Sequence, residues 1–161
     1  MTESIMETAQ ILLTNLSKQL GLESVDLDDE GCAALSFDEI VVNFEYDPES
    51  DLLAFYSDIG SIPPIEDTPR ELLESLLKAN FFHTGTAGAT IGMDRESGFI
   101  SLFQTLSPTA VEPDRFFSAL ETFVDLAEGW TKRIPELVSG EEVTSSRDKR
   151  DPDYPGDMIR I

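Results

Sequence analysis

The stretch TPRELLESLLKANFFHTGTAGATIGMDRESGFISLFQTL, residues 68–106, decides how the chain is read. Thr68 and Glu71 have the spacing of a capping box, and Pro69 sits where a first helical residue loses nothing by lacking an N–H. Leu72, Leu73, Leu76 and Leu77 then recur at helical spacing, and the run ends in Phe81-Phe82. A small, flexible loop over 84–88 leads to a short strand over 89–93, a turn over 94–98 and a second strand over 99–106. Helix and hairpin together carry more apolar surface than one thin layer can bury. The surplus points to a unit that serves in part for self-association, and to a function in binding another polypeptide.

Upstream, Ser4 and Glu7 have capping-box spacing, and Ile5, Ala9, Leu12, Leu13, Leu16 and Leu20 line one face of a helix that stops at Gly21. Residues 25–30 are short and acidic. Three strand candidates follow, at 32–37, 40–46 and 52–57, the last two joined by Asp47-Pro48-Glu49-Ser50-Asp51 as a hairpin turn. In the second strand Val42, Phe44 and Tyr46 share one face, and Val41, Asn43 and Glu45 share the other. Residues 61–67, with two prolines, link into the central helix. Downstream, Pro108 and Pro113 bracket a loop. A long helix begins near Pro113, with Phe116, Phe117, Leu120, Phe123, Val124, Ala127, Trp130 and Ile134 in its apolar stripe, and Pro135 is expected to stop it.

The order is therefore helix, three strands, helix, two strands, helix. Hairpins dominate and no βαβ unit appears, so the fold class is α+β with an antiparallel sheet packed with helices. Residues 1–138 read as one domain, and residues 139–161 as a flexible, charged C-terminal tail that closes with Met158-Ile159-Arg160-Ile161.

Composition narrows the function. Acidic residues number 32 against 11 basic ones, a net charge of -21, in a chain that is still 40% apolar. Residues 139–161 hold six acids and four bases, a net -2 that leaves about -19 on the folded part. Such a body repels nucleic acid and anionic membrane, attracts basic partners and stays soluble despite apolar patches. A single cysteine, Cys32, excludes an internal disulfide and a thiolate metal cluster within one chain, and its apolar strand-like surroundings read as a buried, inert thiol. No secretory leader opens the sequence and no 18-residue apolar run occurs, so a soluble, cytoplasmic protein without membrane insertion is expected.

Motifs for chemistry fail on inspection. Asp26, Asp28 and Glu30 imitate a calcium loop, but the twelfth position holds Phe37, so a solvated turn is the reading. Residues 85–90 look like a phosphate loop without its Gly-Lys-Ser/Thr ending, and no Lys or Arg stands between Lys78 and Arg95. His83 is the sole histidine, at a helix end, where a capping or packing role is expected. There is no Gly-x-Ser-x-Gly elbow. The expectation is no enzyme, no catalytic residue, no metal and no cofactor. What remains is surplus apolar surface on an acidic body, with sheet edges open to an added strand.

Four phrases carry a resemblance: LLTNLSKQLGL (12–22), LDDEGCAALSFDE (27–39), residues 72–106 of the opening stretch, and FFSALETFVDLAEGW (116–130). In this order they resemble the class I type III secretion chaperones, the family that includes the Tir chaperone (CesT-like). The resemblance implies a small bacterial homodimer, linked to virulence, that uses no nucleotide. It would bind the N-terminal chaperone-binding segment of one or more secreted effectors, keep it extended and soluble, and deliver it to the secretion apparatus. It places the dimer interface on the second helix and nearby strand, here Leu73, Leu76, Leu77, Phe81, Ile91 and Met93. Effector grooves formed by the first helix and the sheet would use Leu12, Leu16, Val42, Phe44, Leu53 and Phe55. Those faces follow from strand alternation, and the opposite sheet face stays open as an alternative. Other readings are a regulatory chaperone of the same fold that sequesters a control protein of secretion gene expression, a YbjN-like protein-binding module without a secretion role, and an unrecognised hydrolase.

Overall fold

The computed structural model describes the backbone of residues 2–140 and the side chains of residues 8–140; the tail expected over 141–161 lies outside the described residues. The elements run α1 (Thr2–Leu20), β1 (Cys32–Phe37), β2 (Ile40–Asp47), β3 (Leu52–Ser61), α2 (Arg70–Asn80), β4 (Thr90–Met93), β5 (Phe99–Leu106) and α3 (Pro113–Ser139), with 3-10 turns at Ile65–Asp67 and Phe81–His83. The five strands form one antiparallel sheet in the order β1-β2-β3-β5-β4. The expected α+β class and element order are found. Because α2 intervenes between β3 and the second hairpin, β5 pairs with β3 and β4 becomes the outer edge opposite β1. Among the described residues no helix is long and apolar enough to cross a membrane.

Period-two alternation sets the sheet's inner face. Ile40, Val42, Phe44 and Tyr46 of β2 are buried, as are Leu53, Phe55, Ser57 and Ile59 of β3, while Val41, Glu45 and Asp47 face solvent. α3 crosses this face. Its Phe116 and Phe123 stand edge-on to Phe55, with ring centroids 6.0 and 5.0 Å away, and Phe116 also meets Phe44 at 6.5 Å. Ala9, Leu12, Leu13 and Leu16 of α1 join the same cluster. Each large side chain so enclosed contributes about 1.5–3 kcal/mol.

Asp51, at the β2–β3 turn with φ 52°, ties that turn to the segment entering α3. Its carboxylate accepts hydrogen bonds from the hydroxyls of Ser107, Thr109 and Tyr46. Ser107, then Thr109, hold its pKa below the usual carboxylate range. Burial, followed by the bond to Asp51, pushes the Tyr46 phenol up to about 12.

Several local expectations are corrected. α1 spans Thr2–Leu20, so the backbone of Ser4 lies inside the helix rather than at its expected start. α2 begins at Arg70 with Pro69 as N-cap, because the Thr68 hydroxyl turns back to the carbonyls of Pro63 and Pro64. β3 runs on to Ser61 past a bulge between Asp58 and Gly60. A Cβ at Gly60 would lie 2.8 Å from Ile134 Cγ2, so glycine permits the close approach of β3 to α3. Pro135 does not stop α3, which continues to Ser139 and ends at Gly140 in the left-handed conformation. Burial of Ile134 and Leu137 on either side of the proline offsets the backbone bond that it removes. The helix therefore also takes in Ser139, the first residue of the expected tail.

Candidate functional site

Two apolar surfaces stay open. The first lies where α2 meets β4. Leu77, Phe81, Phe82 and Met93 are 72, 59, 80 and 43% exposed. Of the six residues expected at a dimer interface, Leu77, Phe81 and Met93 are presented here, Leu73 is half-buried, and Leu76 and Ile91 lie beneath in the core. One helical step separates Leu76 from Leu77, and it carries the side chain from the packed face of α2 to the open one.

The loop that follows is not the slack connection the sequence implied. Asn80 clamps β4 with its amide: Nδ2 donates to the Ile91 carbonyl and Oδ1 accepts the Ile91 N–H, both at 2.9 Å. Trp130 Nε1 donates to the Gly85 carbonyl at 3.2 Å, which ties the loop to α3. His83 Nδ1 lies 3.0 Å from the Ala89 carbonyl, so the histidine stitches the loop rather than capping the helix. Within it Phe82 takes φ 48°, ψ 30°, a left-handed conformation that disfavours a bulky L-residue by about 1–2 kcal/mol. Phe81 and Phe82 nevertheless pack edge-on, 4.7 Å between centroids, facing outward. Periodicity had no signal for this geometry, because it depends on the sign of one backbone angle.

The second surface is a groove of about 500 Å³ between α1, the end of β1 and α3. Leu16, Leu20, Phe37, Phe117, Leu120 and Val124 give it an apolar lining, and Glu121 and Asp125 add two carboxylates. Of the residues expected to bind an effector, only Leu16 reaches this groove, as part of its floor. Leu12, Val42, Phe44, Leu53 and Phe55 are sealed in the core, all 3% exposed or less. The expected groove face is therefore corrected: α3 lies across the inner side of the sheet and covers those side chains. Leu20, Phe37, Phe117 and Val124 were not singled out for binding, since their half-burial arises only when α1, β1 and α3 converge. On the opposite sheet face Val41 and Phe103 are exposed, the Phe103 ring lying against Gly92.

A third depression, between α2 and α3, is charged rather than apolar. Arg70 and Lys78 both pair with Glu74, at 2.6 and 3.8 Å, and the Arg133 guanidinium sits 5.8 Å from the centre of the Trp130 ring. Cys32 is half-exposed at the sheet edge, not buried as expected. Desolvation and the carboxylates of Asp28, Glu45 and Glu30 push its thiol pKa up, which keeps it protonated and a poor nucleophile. The acidic run before β1 is occupied with its own turn. Asp26 accepts from Gln10 and Ser24, and Asp28 Oδ1 accepts the N–H groups of Glu30 and Cys32.

Comparison with known proteins places this geometry. The Tir chaperone protein (CesT) family matches residues 11–131. The chain is 27% identical over 125 residues to the transcriptional anti-antiactivator ExsC of Pseudomonas aeruginosa, covering 77% of this chain and 83% of that protein. Its fold is similar to a chain of the ExsC–ExsE complex, with TM-score 0.64, 24% identity, and coverage of 80% of this chain and 94% of the other. A similar fold occurs in the complex of the Yersinia pestis type III secretion chaperone SycH with a stable fragment of YscM2, with TM-score 0.60, 21% identity, and coverage of 75% and 98%. The fold, the element order and a family match across most of the sequence agree, and the chain belongs to the Tir chaperone protein (CesT) family, the class I type III secretion chaperones.

Proposed function

We propose that this chain is an effector-binding chaperone that takes up the N-terminal segment of one or more secreted proteins, keeps it extended and soluble, and passes it to the secretion apparatus. The observation that carries this is the pair of open apolar surfaces on a body of net charge about -19. The α2–β4 surface is assigned to self-association as a homodimer, and the α1–β1–α3 groove to the client. An unfolded segment loses conformational freedom on binding, at about 2–5 kcal/mol or more. Apolar anchors seated against Phe37, Phe117 and Val124 offset that loss. Glu121 and Asp125 favour clients whose apolar residues are flanked by Lys or Arg, and the acidic body speeds their encounter. No step of this work needs a cofactor or a reacting side chain, and it is assigned to the bacterial cytoplasm.

A second reading is a regulatory one, in which the client is a control protein of secretion gene expression. The likeness to ExsC, an anti-antiactivator by name, favours it. Both readings use the same groove and differ in the client.

The test is co-expression with a candidate client, followed by light scattering and calorimetry. Replacing both Leu20 and Phe117 by Asp is expected to weaken client binding at least tenfold while the dimer persists. Undiminished binding by that variant refutes the groove assignment, and a monomer at micromolar concentration refutes the dimer.

A further inference from the structure

The client groove continues along α3 beyond the end of α1. A second depression of about 360 Å³ lies beside Asp38, Glu39 and Ile40, and a third of about 540 Å³ lies beside residues 58–61 and Phe99. Phe37 of the groove is followed directly by Asp38 of the second depression, and Thr131 lines both the second and the third. On the α3 side, positions 117, 121, 124, 128, 131, 135 and 138 line the three in turn. Steps of four and three residues in alternation make one stripe of a helix, and every position stands one residue beyond a member of the buried stripe that runs from Phe116 to Leu137.

The track is apolar at both ends and acidic between them. Phe37, Phe117 and Val124 stand at one end, and Phe99, Pro135 and Val138 at the other. In the middle, Asp125, Glu128, Asp38 and Glu39 face one ammonium, that of Lys132, 3.8 Å from Glu128. The sheet also opens here. The β2–β3 ladder stops at the Asn43–Tyr56 pair, residues 40–42 bridge to β1 alone, and Ile59, in the bulge, bridges to neither neighbour. Thr131 lines the depressions on both sides of that opening, and its buried hydroxyl has no hydrogen-bond partner among the described residues. A buried polar group of that kind costs stability until a partner satisfies it. We infer that the client lies along the whole track as one extended segment, apolar at its ends and basic in its middle, with its main chain bonded to Thr131; the inference rests on the client-groove reading above. Positions 117 and 138 are 21 residues apart, about 32 Å along the helix axis. An extended segment covers that length in about ten residues and presents main-chain N–H and C=O groups along its edge. A helical one needs about twice as many and keeps those groups for itself.

The test uses the full chain and a synthetic peptide of about ten residues, with leucine at both ends and arginine in the middle, read by calorimetry. Replacing both Glu39 and Glu128 by Lys is expected to weaken binding about tenfold, and a peptide with glutamate in place of arginine should recover it on that variant. Val138→Asp should also cost about tenfold. Thr131→Val should cost several-fold while the urea midpoint of the free chain holds or rises, because the orphan hydroxyl is gone. A photoreactive group at one end of the peptide should label α3 near Phe117, and one at the other end should label it near Val138. Binding that falls with Leu20→Asp and Phe117→Asp but ignores the charge reversal and Val138→Asp confines the client to the first groove and overturns the extended track. Labels from both ends at one depression, or no binding of the peptide to the unaltered chain, overturn it as well. Binding that Leu20→Asp and Phe117→Asp leave untouched refutes the client-groove reading itself, whatever the other variants do.

Discussion

Two groups of phenylalanine in this molecule do opposite work. Phe44, Phe55, Phe116 and Phe123 meet inside the domain and are at most 1% exposed, whereas Phe81 and Phe82 meet with a similar edge-on geometry at 59 and 80% exposure. Ring chemistry does not separate them; the next layer does. α3 closes over the inner face of the sheet, while among the described residues no element closes over the end of α2. Phe82 is also held outward by a backbone conformation that costs energy, so its exposure is not the default of a relaxed chain. The contrast teaches that the apolar surplus divides into a part that makes the fold and a part the fold leaves in solvent, the part assigned above to self-association.

The largest expected effect tests the inner group. Phe55→Ala should lower stability by about 3–5 kcal/mol in urea unfolding, because it opens a cavity among three other rings. An effect no larger than that of Phe82→Ala would erase the distinction. Next comes the outer group. Leu77→Asp should weaken self-association by about 2 kcal/mol or more, read by sedimentation, and leave the stability of the separated subunit within about 0.5 kcal/mol. A third test addresses how closely α3 covers the sheet. Gly60→Ala puts a methyl where Ile134 already lies and should cost about 1–3 kcal/mol in thermal or urea unfolding.

The smallest effect concerns the latch that holds the entry to α3. Asp51→Asn keeps the shape and tolerates the left-handed backbone, and should cost about 1 kcal/mol at pH 7. In the native chain the folded pKa of Asp51 is lowered, so its contribution is present above the ordinary aspartate value of about 3.9 and is lost as pH falls through the lower folded value. The Asn variant should therefore lose less stability than the native chain between pH 5 and pH 2. Equal slopes in urea midpoints against pH would remove Asp51 from that role.

The strands of the first hairpin were legible because side chains alternate along β2, which puts Val42, Phe44 and Tyr46 on one side, and the structure adds Ile40 to them. The opening helix face and the stripe on α3 were legible for the matching reason at helical period. Pro135 misled because a local rule predicts a stop, and burial of Ile134 and Leu137 overrode it. Thr68 misled because its hydroxyl had nearer carbonyls to satisfy, in Pro63 and Pro64. Along β3, residues 58–61 lacked a strand signal, since a bulge interrupts the alternation there. At the candidate site, the apolar excess of residues 68–106 suggested an association surface, and the family resemblance was needed to name Leu77, Phe81 and Met93 in it. Val42, Phe44, Leu53 and Phe55 could not be placed correctly, because two faces of a sheet look alike until something covers one of them.

By itself the sequence determined the class, the order of elements, the acidic body and the presence of more apolar residues than one core layer uses. Each follows from composition or from a period along the chain, which are properties of neighbours. Only the tertiary structure decided which apolar residues stay outside. That choice depends on α3 lying across the sheet, on α1 and β1 converging with it into a groove, and on a left-handed turn at Phe82, all contacts or angles between parts the linear order keeps far apart.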